Sequence, residues 1–133
     1  MITHARGAEA YLRTETLSRS PLELVVMLYD GALRFVGEAR EAMVRGDIRL
    51  RAHAIDRAMS IVAELQNTLN MDTGGDLAVE LDRLYRFTSE KLLEATATRR
   101  VAALDEAQRV LVTLRDGWAR IAAGQGADAG PRP

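Results

Sequence analysis

Apolar residues recur at alternating spacings of three and four through Leu22, Val25, Tyr29, Ala32, Val36, Ala39 and Met43. That period predicts a helix with one buried face, over about residues 21–45. Its start is well marked. Ser20 can accept a backbone N–H, Pro21 suits the first helical position, and Glu23 completes a capping box. Gly46 suits the left-handed residue that ends such a helix. The seam does not use up the apolar residues. Leu24, Met27, Leu28 and Phe35 fall on other faces, so the early helix is polar at little besides Glu23 and Asp30.

Three more helices are predicted. Asp47 is placed to cap a second helix running to about Leu69, with one apolar line of Ile48, Ala52, Ile55, Met59, Val62, Gln66 and Leu69. A flanking line runs through Ala54, Ala58, Ile61 and Leu65. The connection at Gly46-Asp47 is so short that the first two helices must be antiparallel neighbours. Asn70 to Asp76, with Gly74-Gly75 at its centre, is turn chemistry, and Asp76 can cap the next helix. That third helix is predicted over about 77–97, on a seam of Leu77, Leu81, Leu84, Thr88, Leu92 and Ala95. Thr98-Arg99-Arg100 connects it, without Gly or Pro, to a fourth over about 100–122 carrying Leu104, Ala107, Leu111, Leu114, Trp118 and Ile121. No strand-like alternation competes. The fold class is all-α, an antiparallel up-down-up-down four-helix bundle spanning residues 20–123.

The ends are different. Residues 1–19 hold Tyr11, Leu12 and Leu17 as isolated apolar points, and read as a flexible N-terminal segment. It is either a frayed terminus or a mobile strap whose Tyr11 and Leu12 cover an apolar groove. Residues 124–133, rich in Gly, Ala and Pro, read as a disordered tail.

Composition narrows the function. A net charge of −1, with acids interspersed among the bases, argues against a nucleic-acid partner. No window approaches the ~18 apolar residues that a membrane span needs, and the N-terminus does not read as a secretory signal. There is no cysteine, which agrees with a reducing compartment, and the chain reads as cytosolic. An enzyme finds little support. Di-metal bundle sites need two Glu-x-x-His pairs, whereas the two histidines are His4, in the N-terminal segment, and His53, on a solvated face. Gly74-Gly75 matches no phosphate-binding loop, and no nucleophile stands beside a base. No metal or cofactor is expected.

What the chain does have is apolar surface in excess of what a four-helix core hides, and such surface normally marks an interface. A groove between helices can receive an amphipathic helix of another protein. A homodimer burying the same face, or simply a fat core, is the other reading, and the pattern alone leaves them open. The candidate partner-binding residues, chosen for their off-seam positions, are Leu24, Met27, Leu28, Phe35, Ile61, Leu65 and Tyr85. Gly31, within the first helix, is expected where a neighbouring backbone packs closely, because a mid-helix Gly costs about 1 kcal/mol.

Four blocks of sequence carry a resemblance. They are Ser20-Pro21-Leu22-Glu23-Leu24-Val25-Val26-Met27-Leu28-Tyr29-Asp30-Gly31-Ala32, Leu65 to Ala78 across the Gly-Gly loop, Leu81-Asp82-Arg83-Leu84-Tyr85-Arg86-Phe87, and Leu114-Arg115-Asp116-Gly117-Trp118. In that order they resemble the FliS family of cytosolic flagellar export chaperones. The resemblance implies a bundle that binds the C-terminal amphipathic region of flagellin, prevents its premature polymerisation, and assists delivery to the flagellar type III export gate. It also implies that an N-terminal tyrosine, matched here by Tyr11, lies over the groove until flagellin displaces it. The runner-up is a helical adaptor for a flagellar regulator or an export component. The Arg- and Ala-rich variable faces and the Gly/Pro tail depart from the family pattern.

Overall fold

The computed structural model describes residues 20–128, and these form four helices. They are α1 (Pro21–Arg45), α2 (Ile48–Asn67), α3 (Gly75–Thr98) and α4 (Val101–Asp128). Each helix packs on its neighbours around a ring, α1 on α2 and α4, α3 on α2 and α4, while the backbones of diagonal pairs stay apart. That is the up-down-up-down bundle. Tyr11 and Leu12 lie outside the described residues.

The helix boundaries follow from local chemistry. The Ser20 hydroxyl accepts from the Glu23 N–H at 3.1 Å, while the Ser20 N–H donates to Glu23 Oε1 at 2.9 Å, so the capping box is closed. Gly46 ends α1 at φ 76°, and Asp47 Oδ1 accepts the Leu50 N–H to open α2. The α2–α3 connection is built on Asn70, whose Oδ1 accepts from Asp72 N–H and Thr73 N–H, both at 3.1 Å. Its two glycines serve different needs. A Cβ on Gly74 would stand 2.5 Å from Asn70 O and 2.6 Å from Ala78 Cβ, whereas Gly75 takes φ +60° with open space around it.

Several boundaries differ from the sequence reading. α3 begins two residues early, at Gly75, with Gly74 rather than Asp76 before it, so Asp76 sits inside the first turn and acts on the helix dipole instead of as a cap. α2 ends at Asn67, where Thr68 turns its hydroxyl back to Leu65 O at 2.6 Å. α4 continues to Asp128, so residues 124–128 of the expected tail are helical.

The core joins Tyr29, Val36, Ile55, Val62, Leu65, Leu81, Tyr85, Leu92, Leu104 and Leu111 around a set of buried alanines. Alanines on both α1 (Ala32, Ala39) and α2 (Ala54, Ala58) let that pair approach closely, and it is the most extensive contact in the bundle. Gly31 belongs to the same approach, since a Cβ there would meet Ile61 Cδ1 at 3.2 Å. Thr88 is wholly buried and satisfied by donating to Leu84 O at 2.8 Å. Ile48, Leu77 and Ile121, all assigned to seams, are instead exposed. They sit within a turn or two of helix ends, and in the first turn of α3 it is Ala78 that is buried.

Candidate functional site

At the end where α1 and α3 begin, the bundle does not close. An open cavity of about 290 Å³ lies there, walled by Leu22 and Val25 of α1, Leu65 and Leu69 at the end of α2, Leu77, Ala78, Leu81 and Tyr85 of α3, and Trp118 of α4. The backbone around Thr68, Asn70 and Gly74 forms its rim. Nearly all of this lining is apolar. A cavity of about 150 Å³ in another protein admits benzene, so this one has room for several side chains from outside. Leu77 stands at its mouth, 61% exposed, and Met71, Val79 and Leu93 are also exposed in or after the α2–α3 connection.

Below the opening, polar contacts tie the four helices together. The Tyr29 and Tyr85 hydroxyls share a buried hydrogen bond across α1 and α3, with ring centroids 6.4 Å apart. Burial pushes both phenols above their ordinary range. The shared bond raises Tyr29 further and lowers Tyr85, and Trp118 acts on Tyr29 in the lowering direction. Neither tyrosine is therefore a source of protons near neutrality. They act as a neutral clasp. On the surface nearby, Arg115 of α4 reaches Asp30 of α1 at 2.8 Å, and Gln66 of α2 donates to Asp82 of α3 at 2.7 Å. Arg86 pairs with the same carboxylate, and after the Gln66 hydrogen bond it is the second influence holding Asp82 below its usual range.

These contacts join the four sequence blocks. Tyr29 and Asp30 come from the first, Gln66 from the second, Asp82 and Tyr85 from the third, Arg115 and Trp118 from the fourth. In the sequence they are far apart. Folding brings them to one end.

The seven candidate partner-binding residues separate into three groups. Leu65 and Tyr85 are core, exposed by 1% and 2%, and reach the cavity only as its inner wall. Off-seam position misleads for these two because both apolar lines of α2 are partly buried, and because Leu81, Tyr85, Thr88, Leu92 and Ala95 form the true α3 seam. Leu28, Phe35 and Ile61 are half-buried against the core, along the close α1–α2 contact. Leu24 and Met27 are half-buried outside the core cluster. Leu22, Val25, Leu77, Leu81 and Trp118 are cavity residues that the off-seam criterion misses. The first four occupy predicted seams at helix starts, the signal that could have located an unclosed end.

His53 is exposed, and no group of three potential metal ligands occurs among the described residues. Nor is any described helix long and apolar enough to cross a membrane.

Comparison with known proteins agrees with this architecture. Residues 4–125 match the family model of flagellar protein FliS. The chain is 32% identical over 107 residues to the flagellar secretion chaperone FliSB of Pseudomonas aeruginosa, covering 80% of this chain and 85% of that one. It is 30% identical over 122 residues to the flagellar secretion chaperone FliS of Salmonella typhimurium, covering 88% and 90%. A crystal structure of a bacterial flagellar chaperone superposes with a TM-score of 0.71 at 21% identity, over 89% of this chain and 96% of the other, which bears on the fold. With the family model spanning nearly the whole bundle, the chain belongs to the FliS family of flagellar secretion chaperones.

Proposed function

We propose that this protein is a cytosolic export chaperone for flagellin, holding the C-terminal amphipathic segment of that protein against its apolar end and flank. The observation that carries this reading is the unclosed apolar cavity with exposed Leu77 at its mouth, in a chain of a secretion-chaperone family. An amphipathic helix laid along α1 would bring apolar side chains to Leu24, Met27 and Leu28 and insert others beside Leu22 and Leu77. Phe35 and Ile61, on the α1–α2 flank, would extend that surface. Leu65 and Tyr85 would contribute as the inner wall.

The mechanism is holding without fuel. A flagellin terminus that is disordered when free buries its apolar stripe on the bundle and becomes helical, offsetting an ordering cost of about 2–5 kcal/mol or more. While held, that stripe is withheld from other flagellin molecules, and the complex is delivered to the flagellar type III export gate. Residues 1–19 lead directly into Ser20, beside the Leu22 wall of the cavity. In this proposal Tyr11 and Leu12 cover the opening in the free chaperone, lowering apparent affinity by the fraction uncovered. Tyr11→Ala is then expected to reduce solubility or stability of the free protein more than flagellin binding. A large loss of binding at unchanged solubility would make Tyr11 a direct contact instead.

The test is titration of the full chain with a C-terminal flagellin peptide from the same organism, followed by circular dichroism. One-to-one binding with a gain of peptide helicity is expected, weakened about tenfold or more by Leu77→Glu, which removes an exposed aliphatic and leaves the core intact. Absence of binding at micromolar concentration would overturn the proposal.

A further inference from the structure

The opposite end of the bundle carries a surface that holding flagellin at the cavity does not use. There α1 and α3 end while α2 and α4 begin, and the two short connections bring five arginines together: Arg45, Arg49, Arg51, Arg99 and Arg100. Asp47 lies among them and caps α2, Glu41 stands beside Val44 and Arg45, and Glu94, Asp105 and Glu106 around the other connection are taken up in ion pairs. Arg100 makes a long 3.7 Å contact with Glu94, which also serves Lys91. Arg45, Arg49, Arg51 and Arg99 make no ion pair among the described residues. Beside them stand Val44 and Ile48, 69% and 57% exposed.

Helix stability does not account for this cluster. Cations favour helix C-termini, which explains Arg45 and Arg99, and they are unfavourable at N-termini. Yet Arg49 and Arg51 occupy the first turns of α2, Arg100 immediately precedes α4, and neither helix has an acid in its first turn. Arg99 itself is the one non-glycine with positive φ among the described residues, at 60° in a position that glycine or asparagine usually fills. The Nε of Arg51 is enclosed and lacks a hydrogen-bond partner. Three arginines against the dipole, one in a strained backbone, one with an idle donor and two bare aliphatics share a single end.

We propose that this end is a docking surface for an acidic, aliphatic-bearing segment of a second protein, bound independently of the cavity. The arginines would receive carboxylates as charge-assisted hydrogen bonds, and Val44 and Ile48 would receive the aliphatic side chains. A long polyanion fits poorly, because the patch is confined to the two turns and the chain as a whole is net negative. Residues 1–19 are not a self-complementary occupant, since Arg6, Arg13 and Arg19 outnumber Glu9 and Glu15.

The experiment titrates isotopically labelled full-length protein with a short capped peptide of Leu-Glu-Glu repeats and follows backbone amide shifts. Shifts confined to residues 44–51 and 98–102, absent with a Leu-Lys-Lys peptide, are expected. The double variant Arg49→Glu with Arg100→Asp should weaken the peptide about tenfold or more, while flagellin-peptide binding is unchanged. It puts acids where helix N-termini favour them, so it should fold with equal or greater thermal stability. Shifts at the cavity end, no shifts at all, or binding that survives the double variant would overturn the proposal. Equal shifts and affinity with a single-stranded oligonucleotide would overturn it in favour of an unspecific polyanion site.

Discussion

The two ends of this bundle are built from the same four helices and differ in almost every physical respect. Where α1 and α3 begin, Glu23 and Asp76 sit in first turns that favour negative charge, and the Ser20 box closes the α1 terminus. The interior there is left open and apolar, and hydrogen bonds and ion pairs between helices hold its walls. Where α2 and α4 begin, the interior is filled by alanines and leucines, and it is the surface that departs from the helix rules, with arginines against the dipole. The lesson is that irregularity is placed inside at one end and outside at the other. Each is suited to a different partner chemistry, apolar at the cavity and charged at the turns.

That contrast predicts where substitutions will matter for stability. Tyr29→Ala, which removes a fully buried ring from beneath the cavity and leaves the Tyr85 hydroxyl unpaired, should cost about 3–5 kcal/mol in chemical denaturation. Arg49→Ala at the other end should stay within about 0.5 kcal/mol. Comparable losses at both ends would break the comparison.

Alkali should act through the tyrosine end. Tyr29 and Tyr85 hold their protons more firmly folded than unfolded. Above about pH 10 the unfolded chain therefore binds fewer protons, and stability falls by about 1.4 kcal/mol per pH unit for each ring. Below that pH the two states bind these protons equally, and the pair gives no pH dependence. Denaturation midpoints measured through this range, with Tyr29→Phe removing one proton from the slope, would check it.

Two glycine-related changes sharpen the contrast further. Gly74→Ala should cost about 1–3 kcal/mol, because its Cβ meets the Asn70 carbonyl and the Ala78 methyl, neither of which is a flexible side-chain end. Arg99→Gly should stabilise the fold by about 0.5–1 kcal/mol by relieving the left-handed conformation. A destabilised Arg99→Gly protein would mean that the arginine supports the turn and is not strained by it.

How much of this was legible in the sequence depends on where one looks. The spacing from Leu22 to Met43 and the caps at Ser20, Gly46 and Asp47 located α1 and the start of α2 without error, since periodicity and capping act within a few residues. The α3 seam was harder. Leu84 and Tyr85 are adjacent, and only the run Ala78, Leu81, Tyr85, Thr88, Leu92, Ala95 turned inward. Leu77 continues that seam by period yet lies exposed, because its neighbour Ala78 takes the buried place in that turn. Beyond the seam residues at the helix starts, the cavity was not legible. It arises from how four ends fail to meet, and Trp118 reaches it from a residue 33 positions beyond Tyr85 in the chain. Arg99 in a left-handed turn was also unreadable, since no local rule selects arginine there.

Whether flagellin is received at the cavity can be measured directly, because the protein carries its own reporter. Trp118 is the sole tryptophan in the chain, and it lines that cavity. Titrating the protein with a tryptophan-free C-terminal flagellin peptide should shift its emission to shorter wavelength, saturating at one peptide per chain together with the gain in helicity. Saturable binding that leaves Trp118 emission unchanged would place flagellin elsewhere and contradict the cavity as its receptor.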